Sequence, residues 1–296
     1  MSAQDELASD VIGLTRTSPV SRRSFMTATA AATAGYTLAA GPVRAEAIST
    51  DTAGLDAGEA KLKVSDGDMP LYFARPANGS NPPVILVAME IFGLHQYIRD
   101  VARRLGKLGA FAVAPDYYFR KGDLTKVTEI SQLLPLVNAK PDAELIADLN
   151  ATVDWAKAQG GDTSRLGIIG YCRGGRTVWV YSASNPNVKA GVAFYGPLLD
   201  PPAQKAIWPK SPTELAPQMQ APVLGLYGEA DQGIPVAQVE AMQAALKAAG
   251  KTADFKIYPQ APHGFHADYR ASYRKDAAED AWRQMTDWFK KYKVLS

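Results

Sequence analysis

The chain holds one cysteine, Cys172, and three histidines, His95, His263 and His266. Cys172 lies in Gly170-Tyr171-Cys172-Arg173-Gly174, with Gly175 following. A lone cysteine is ordinarily a small buried hydrophobe. This one stands where an apolar run, 166–170, passes through a glycine-rich turn into a helical pattern, 174–183. A nucleophile on so tight a strand-to-helix turn needs small neighbours, because the backbone folds back on itself there. The positive end of the following helix favours the thiolate, the reactive form of the thiol. A nucleophile also needs a base, and the base needs an orienting group. His263, in Gln260-Ala261-Pro262-His263-Gly264-Phe265, falls between the last strand-like and the last helix-like segment; His95 and His266 have no comparable position. Asp231, in Gly228-Glu229-Ala230-Asp231, follows the apolar run 223–227.

The elements that must position these residues alternate in character. Residues 61–64 and 71–74 flank Ser65-Asp66-Gly67-Asp68 as an antiparallel hairpin. Runs rich in β-branched and aromatic residues at 84–88, 110–114, 166–170, 190–195, 223–227 and 253–258 read as strands. Helical spacing appears at 97–108, 143–159, 174–183, 236–249 and 273–292. Strands alternating with helices predict an α/β fold, a mostly parallel central sheet with helices on both faces. Ligands of such sheets bind beyond the strands' carboxyl ends, where Cys172, Asp231 and His263 all fall. Two stretches break the rhythm, 117–141 and the proline-rich 197–222, and both are expected as loops forming the pocket rim.

The order nucleophile, acid, histidine is that of an α/β-hydrolase. The chain from about residue 61 to 290 resembles the dienelactone hydrolases (carboxymethylenebutenolidases). The markers are Met89-Glu90-Ile91-Phe92-Gly93, Pro115-Asp116-Tyr117-Tyr118, the Gly-Tyr-Cys-Arg-Gly-Gly elbow, Phe194-Tyr195-Gly196, Gly228-Glu229-Ala230-Asp231 and Pro262-His263-Gly264-Phe265. Most proteins of this fold carry serine in the elbow, so the cysteine together with Glu-Ile-Phe-Gly is specific. The resemblance implies hydrolysis of a lactone or small ester by a Cys172-His263-Asp231 triad. It implies that Glu90 is a hydrogen-bonded partner of the resting thiol, released when substrate binds. The backbone N–H groups of Ile91 and Arg173 would form the oxyanion hole. The prototypes hold a substrate carboxylate with one arginine after the histidine and another before the elbow. Here Ala267 occupies the first place, and 127–140 contains no arginine. Arg173, Arg120, Lys121 and Arg270 are alternative anion binders, each expected first as a surface charge. His266 and Asp268 match a His-Gly-Phe-His variant of the wider family.

Ahead of this domain, Ser21-Arg22-Arg23-Ser24-Phe25-Met26-Thr27 resembles a twin-arginine export signal. An uncharged Ala- and Thr-rich segment follows at 28–40, and then the small-x-small sites Val43-Arg44-Ala45 and Ala45-Glu46-Ala47. Residues 1–47 are therefore expected as a removable signal, with a single domain over 48–296 in a periplasmic or secreted product. The whole chain, 296 residues with net charge +2, fits one α/β domain plus that extension.

No Lys/Arg block marks a nucleic-acid footprint, and no long apolar run marks a permanent membrane span. One cysteine forms no internal disulfide. The scattered histidines suggest no zinc site, and no nucleotide motif or cofactor is expected. Two other readings of the same residues stay open. One is a general esterase or thioesterase with the same triad, and the other is a non-catalytic periplasmic ligand-binding protein on this scaffold. A thiol redox sensor lacks a resolving cysteine.

Overall fold

The computed structural model describes residues 47–296. The expected export signal thus lies outside the described residues, except for Ala47. The strands are β1 (Leu55–Val64), β2 (Gly67–Pro76), β3 (Pro83–Ala88), β4 (Phe111–Pro115), β5 (Asp162–Tyr171), β6 (Val188–Phe194), β7 (Val223–Gly228) and β8 (Ala253–Tyr258). They form one sheet in the order β1-β2-β4-β3-β5-β6-β7-β8. β1 and β2 pair antiparallel, with Val64 opposite Gly67, which leaves Ser65 and Asp66 as the turn. β2 also runs antiparallel to β4, and every later pairing is parallel. Every residue of β3, β4 and β7 is buried, as expected of strands covered on both faces.

The helices are α1 (Gln96–Lys107), α2 (Ile130–Asn138), α3 (Asp142–Ala158), α4 (Arg173–Ser184), α5 (Pro212–Leu215), α6 (Val236–Ala248) and α7 (Lys275–Lys291). The path β3-α1-β4 moves one way along the sheet, and β4-α3-β5 moves the other. Right-handed crossovers therefore put α1 and α3 on opposite faces, and the reversal opens a crevice at the carboxyl ends of β3 and β5. Glu90 and Ile91 follow β3, and Cys172 follows β5.

The two expected loops contain helices. In 117–141, α2 buries Ile130, Leu133 and Val137, an i, i+3, i+7 set, despite Pro135 inside it. That proline, past the middle of a nine-residue helix, forfeits one backbone bond, and burial of the apolar stripe outweighs it. In 197–222, α5 opens on a capping box between Ser211 and Glu214.

Candidate active site

Cys172 adopts φ 53 and ψ −120, a left-handed backbone conformation that a side-chain-bearing residue rarely occupies. Its N–H donates to the Phe194 carbonyl at 3.0 Å, and its carbonyl accepts from Gly175 at 2.8 Å in the first turn of α4. The glycines around it have steric reasons. A Cβ on Gly170 would stand 2.1 Å from the Gly174 carbonyl oxygen, and one on Gly174 would stand 2.1 Å from that of Ala88. The elbow is wedged against the end of β3, where the Ala88 and Met89 carbonyls pack on Gly174. Tyr117 pins that backbone by donating to the Met89 carbonyl at 2.9 Å.

His263 lies in the loop after β8, nearly buried. Its Nδ1 is 2.7 Å from Asp231 Oδ2. The other Asp231 oxygen accepts N–H bonds from Gly233 at 2.8 Å and Ile234 at 3.1 Å, which fixes the carboxylate plane. The loops carrying these two residues are stitched together by the Ala230 N–H donating to Ala261 O at 3.0 Å. Burial disfavours a charged His263 ring. The Asp231 carboxylate and a hydrogen-bonding Cys172 oppose that and hold the pKa well above the ordinary histidine value. The Tyr195 ring meets the imidazole edge-on at 5.1 Å. Cys172, His263 and Asp231 are thus brought together at the sheet's carboxyl edge.

Glu90 is 2% exposed. Its Oε2 lies 3.1 Å from His95 Nε2 and accepts from the Tyr269 hydroxyl at 3.0 Å. Burial alone would neutralise it, but the bond to His95, the Arg270 charge and the Tyr269 bond hold its pKa below the ordinary value. Arg270 is sandwiched between the Phe92 ring, 4.3 Å away, and the Tyr269 ring, 4.4 Å away. Among the described hydrogen bonds, Glu90 is held by His95 and Tyr269, and none joins it to Cys172. Sequence reasoning set His95 aside and overlooked Tyr269. His95 stands five residues past Glu90 at the start of α1, a spacing that could have marked it; Tyr269 had no sequence signal.

The Ile91 and Arg173 N–H groups donate to no protein acceptor among the described hydrogen bonds. Arg173 is the first residue of α4, where helical geometry leaves the N–H unclaimed. Two unclaimed donors beside a candidate nucleophile can hold developing negative charge.

The expectation of surface charge fails for Arg173 and Arg270, both nearly fully buried. Arg173 donates to Asn138 Oδ1 at 2.8 Å and lies 4.5 Å from the Trp208 ring. The Arg176 guanidinium lies 4.6 Å from the same ring and binds both Asp142 and Asp200. Stacking on aromatic faces thus takes both arginines out of solvent and ties 117–141 to 197–222 above the elbow. Arg120 is half-buried, paired with the exposed Asp66 and the buried Asp148. His266 Nδ1 lies 2.6 Å from the Tyr97 hydroxyl, and its ring stacks on Trp282. Burial and Arg104 push its pKa down to about 3, so it is neutral. Among the described residues, no group of three or more His, Cys, Asp or Glu could hold a metal, and no helix is long and apolar enough to cross a membrane.

A sequence profile of the dienelactone hydrolase family matches residues 69–293. A candidate carboxymethylenebutenolidase of Methylorubrum extorquens is 52% identical over 288 residues, spanning 96% of this chain and 98% of its own. Its counterpart in Escherichia coli K12 is 44% identical over 260 residues, 87% of this chain and 95% of that one. The crystal structure of a candidate dienelactone hydrolase from Klebsiella pneumoniae superposes with a TM-score of 0.78 at 46% identity, over 80% of this chain and 99% of that chain.

Proposed function

The chain belongs to the dienelactone hydrolase family, and on that premise we propose that it hydrolyses lactones or small carboxylic esters through a thioester on Cys172. The observation that carries this reading is the left-handed Cys172 on the elbow, coupled to a His263 that Asp231 orients at 2.7 Å. The raised His263 pKa favours an imidazolium beside the sulfur, which is the resting state a cysteine hydrolase needs. The sulfur attacks the acyl carbon, and the carbonyl oxygen takes the negative charge between the Ile91 and Arg173 N–H groups. His263 then gives its proton to the departing alkoxide, which stays tethered to the acyl group when the substrate is a lactone. Water, deprotonated by His263, cleaves the thioester, releasing the acid and returning the thiolate beside the imidazolium.

In this reading the described geometry is the arrangement in which Glu90 has withdrawn onto His95 and Tyr269, leaving His263 as the partner of the sulfur. The absence of arginine from α2 and its flanks, and Ala267 after the histidine, favour a neutral acyl group over a carboxylate-bearing one. A general esterase or thioesterase is the neighbouring reading, and relative rates on lactones and linear esters separate the two.

Steady-state hydrolysis of p-nitrophenyl acetate and a panel of small lactones, by wild type and Cys172→Ala, tests the proposal. Cysteine-dependent turnover with an acyl adduct on Cys172 in the intact mass supports it. Unchanged activity in Cys172→Ala refutes it. Residues 1–47 complete the reading as a signal for the twin-arginine export machinery, giving a periplasmic or secreted enzyme. Arg22 and Arg23 both changed to lysine should then retain the chain inside the cell.

A further inference from the structure

One of the three histidines, His266, has no part in the candidate mechanism, yet it walls a second cavity. This space of about 300 Å³ is lined by Ile48, Arg104, His266, Tyr273, Ala278 and Trp282 among others. It lies between α1, α7 and the loop that joins β8 to α7, and none of Cys172, Asp231 and His263 lines it. His266 is 2% exposed. Its Nδ1 is 2.6 Å from the Tyr97 hydroxyl. Its Nε2 has no partner among the described hydrogen bonds, but it is not sealed within protein, and the space it borders is this cavity. The ring is held from three sides: Trp282 stacks at 5.8 Å, Phe194 meets it edge-on at 4.8 Å, and Tyr171 lies 5.3 Å away. A ring nitrogen so nearly buried needs a hydrogen-bond partner, and an occupant of the cavity is placed to supply it.

We propose that this cavity is a second ligand site, which takes a small neutral ring bearing a hydroxyl, as phenol does, with the hydroxyl on His266 Nε2. Size, charge and hydrogen bonding each select that class. A dry cavity of about 150 Å³ is enough for benzene, so this larger one admits a single substituted ring. Its walls offer the ring faces of Tyr273 and Trp282 and the carbons of Ile48 and Ala278, against which an aromatic ligand gains by burial. The Arg104 guanidinium is already taken by Asp100 and Asp268, both at 2.5 Å, and Asp100 also binds Arg103 at 3.0 Å. The exposed Glu279 adds negative charge to the wall. A carboxylate ligand therefore finds no free cation among the lining residues, and a cationic one loses its hydration against apolar walls. Burial and Arg104 keep His266 itself neutral, which suits a neutral partner. Whether Nε2 carries the hydrogen depends on which way the bond to Tyr97 runs. A hydroxyl both donates and accepts, so it satisfies either form.

The occupant bears on the elbow through His266. Phe194, whose ring meets His266 edge-on, supplies the carbonyl that accepts the Cys172 N–H at 3.0 Å. Tyr171, packed on the same imidazole, is the residue before Cys172. His263 stands three residues upstream of His266 in a tightly turned loop, with the Ala267 N–H on Gly264 O at 3.0 Å. A close-packed interior passes such a push on, because it has no slack to absorb it. A displaced nucleophile loses rate, so a ligand that shifts the His266 ring lowers turnover. On the reading of Cys172 as an ester-cleaving nucleophile, an aromatic alcohol, the leaving group of an aryl ester, then acts on the enzyme from outside the catalytic pocket.

The test is calorimetric titration of the whole chain with phenol and with toluene, the same ring without a hydroxyl, alongside His266→Phe and Ala278→Leu. Phenol should bind wild type saturably. His266→Phe keeps a ring of similar size, and it should weaken phenol roughly three- to tenfold while leaving toluene unchanged. Ala278→Leu fills the cavity from α7 and should abolish binding of both. Absence of saturable phenol binding by wild type, or binding that Ala278→Leu leaves intact, overturns the site. Where a variant does not fold, a wild-type crystal soaked in phenol decides. The ring against Trp282 with its hydroxyl on His266 Nε2 supports the proposal, and phenol bound only elsewhere overturns it. These measurements need no turnover, so they stand even if the hydrolase reading fails. With a hydrolysed ester at saturation, phenol should lower the kcat of wild type by about twofold or more and leave that of Ala278→Leu alone. An unchanged kcat with the cavity filled overturns the link to the elbow.

Discussion

Replacing Gly170 with alanine tests whether the elbow is set by steric contact. The added Cβ would stand 2.1 Å from the Gly174 carbonyl oxygen and 2.4 Å from its carbon, where real Cβ atoms stay beyond 3.0 Å. Both neighbours are backbone atoms, so no side chain can swing aside. The end of β5 and the first turn of α4 must separate by about 0.9 Å, close to the contact they make around Cys172. Overpacking of this kind costs about 1–3 kcal/mol, and each kcal/mol lowers Tm by roughly 2–4 °C in a domain of this size. A nucleophile displaced by about 1 Å loses on the order of a hundredfold in rate. Gly170→Ala should therefore melt several degrees lower and, while folded, show kcat/KM reduced about a hundredfold. Gly58→Ala is the control: its Cβ meets nothing within 4 Å and its φ is ordinary. It should leave both quantities nearly unchanged. Thermal unfolding and ester hydrolysis below the transition measure the two effects. A Gly170→Ala protein with wild-type Tm and activity within about threefold would refute the steric account.

Asp231→Asn keeps the shape but removes the charge that orients His263 and raises its pKa. Activity should fall by a factor on the order of 10³–10⁴, with the pH profile displaced to lower pH. His95→Asn and Tyr269→Phe each remove a bond that holds the Glu90 pKa down. Glu90 should then protonate at higher pH, moving the acid limb of kcat/KM upward, while variants that merely loosen the fold would leave that limb in place. The same sign governs stability. A depressed carboxylate contributes above its ordinary value near 4.5, and that contribution is lost as pH falls through the folded value. Arg176→Met leaves Asp142 and Asp200 buried without their cation, and denaturant unfolding should show a loss of about 3–5 kcal/mol.

The sequence by itself determined what is local. Strands and helices were legible because apolar residues recur at the spacing each element imposes, so Val84–Ala88 and Ala253–Tyr258 could be read as continuous or alternating runs. The elbow was legible because only glycine fits around a left-handed Cys172. The positions of Asp231 and His263 followed from the rule that chemistry gathers after strands. α2 was missed because a proline argues against a helix, and nothing nearby in sequence shows which core would bury Ile130, Leu133 and Val137.

Only the tertiary structure decided which polar groups meet. His95 and Tyr269 are 174 residues apart, yet both hold Glu90. Arg173 and Arg270 looked like surface charges until Trp208, Phe92 and Tyr269 closed over them. Periodicity records which face of an element is dry. The cost of leaving a buried charge unpaired determines its partners, and those come from wherever the chain's crossovers deliver them.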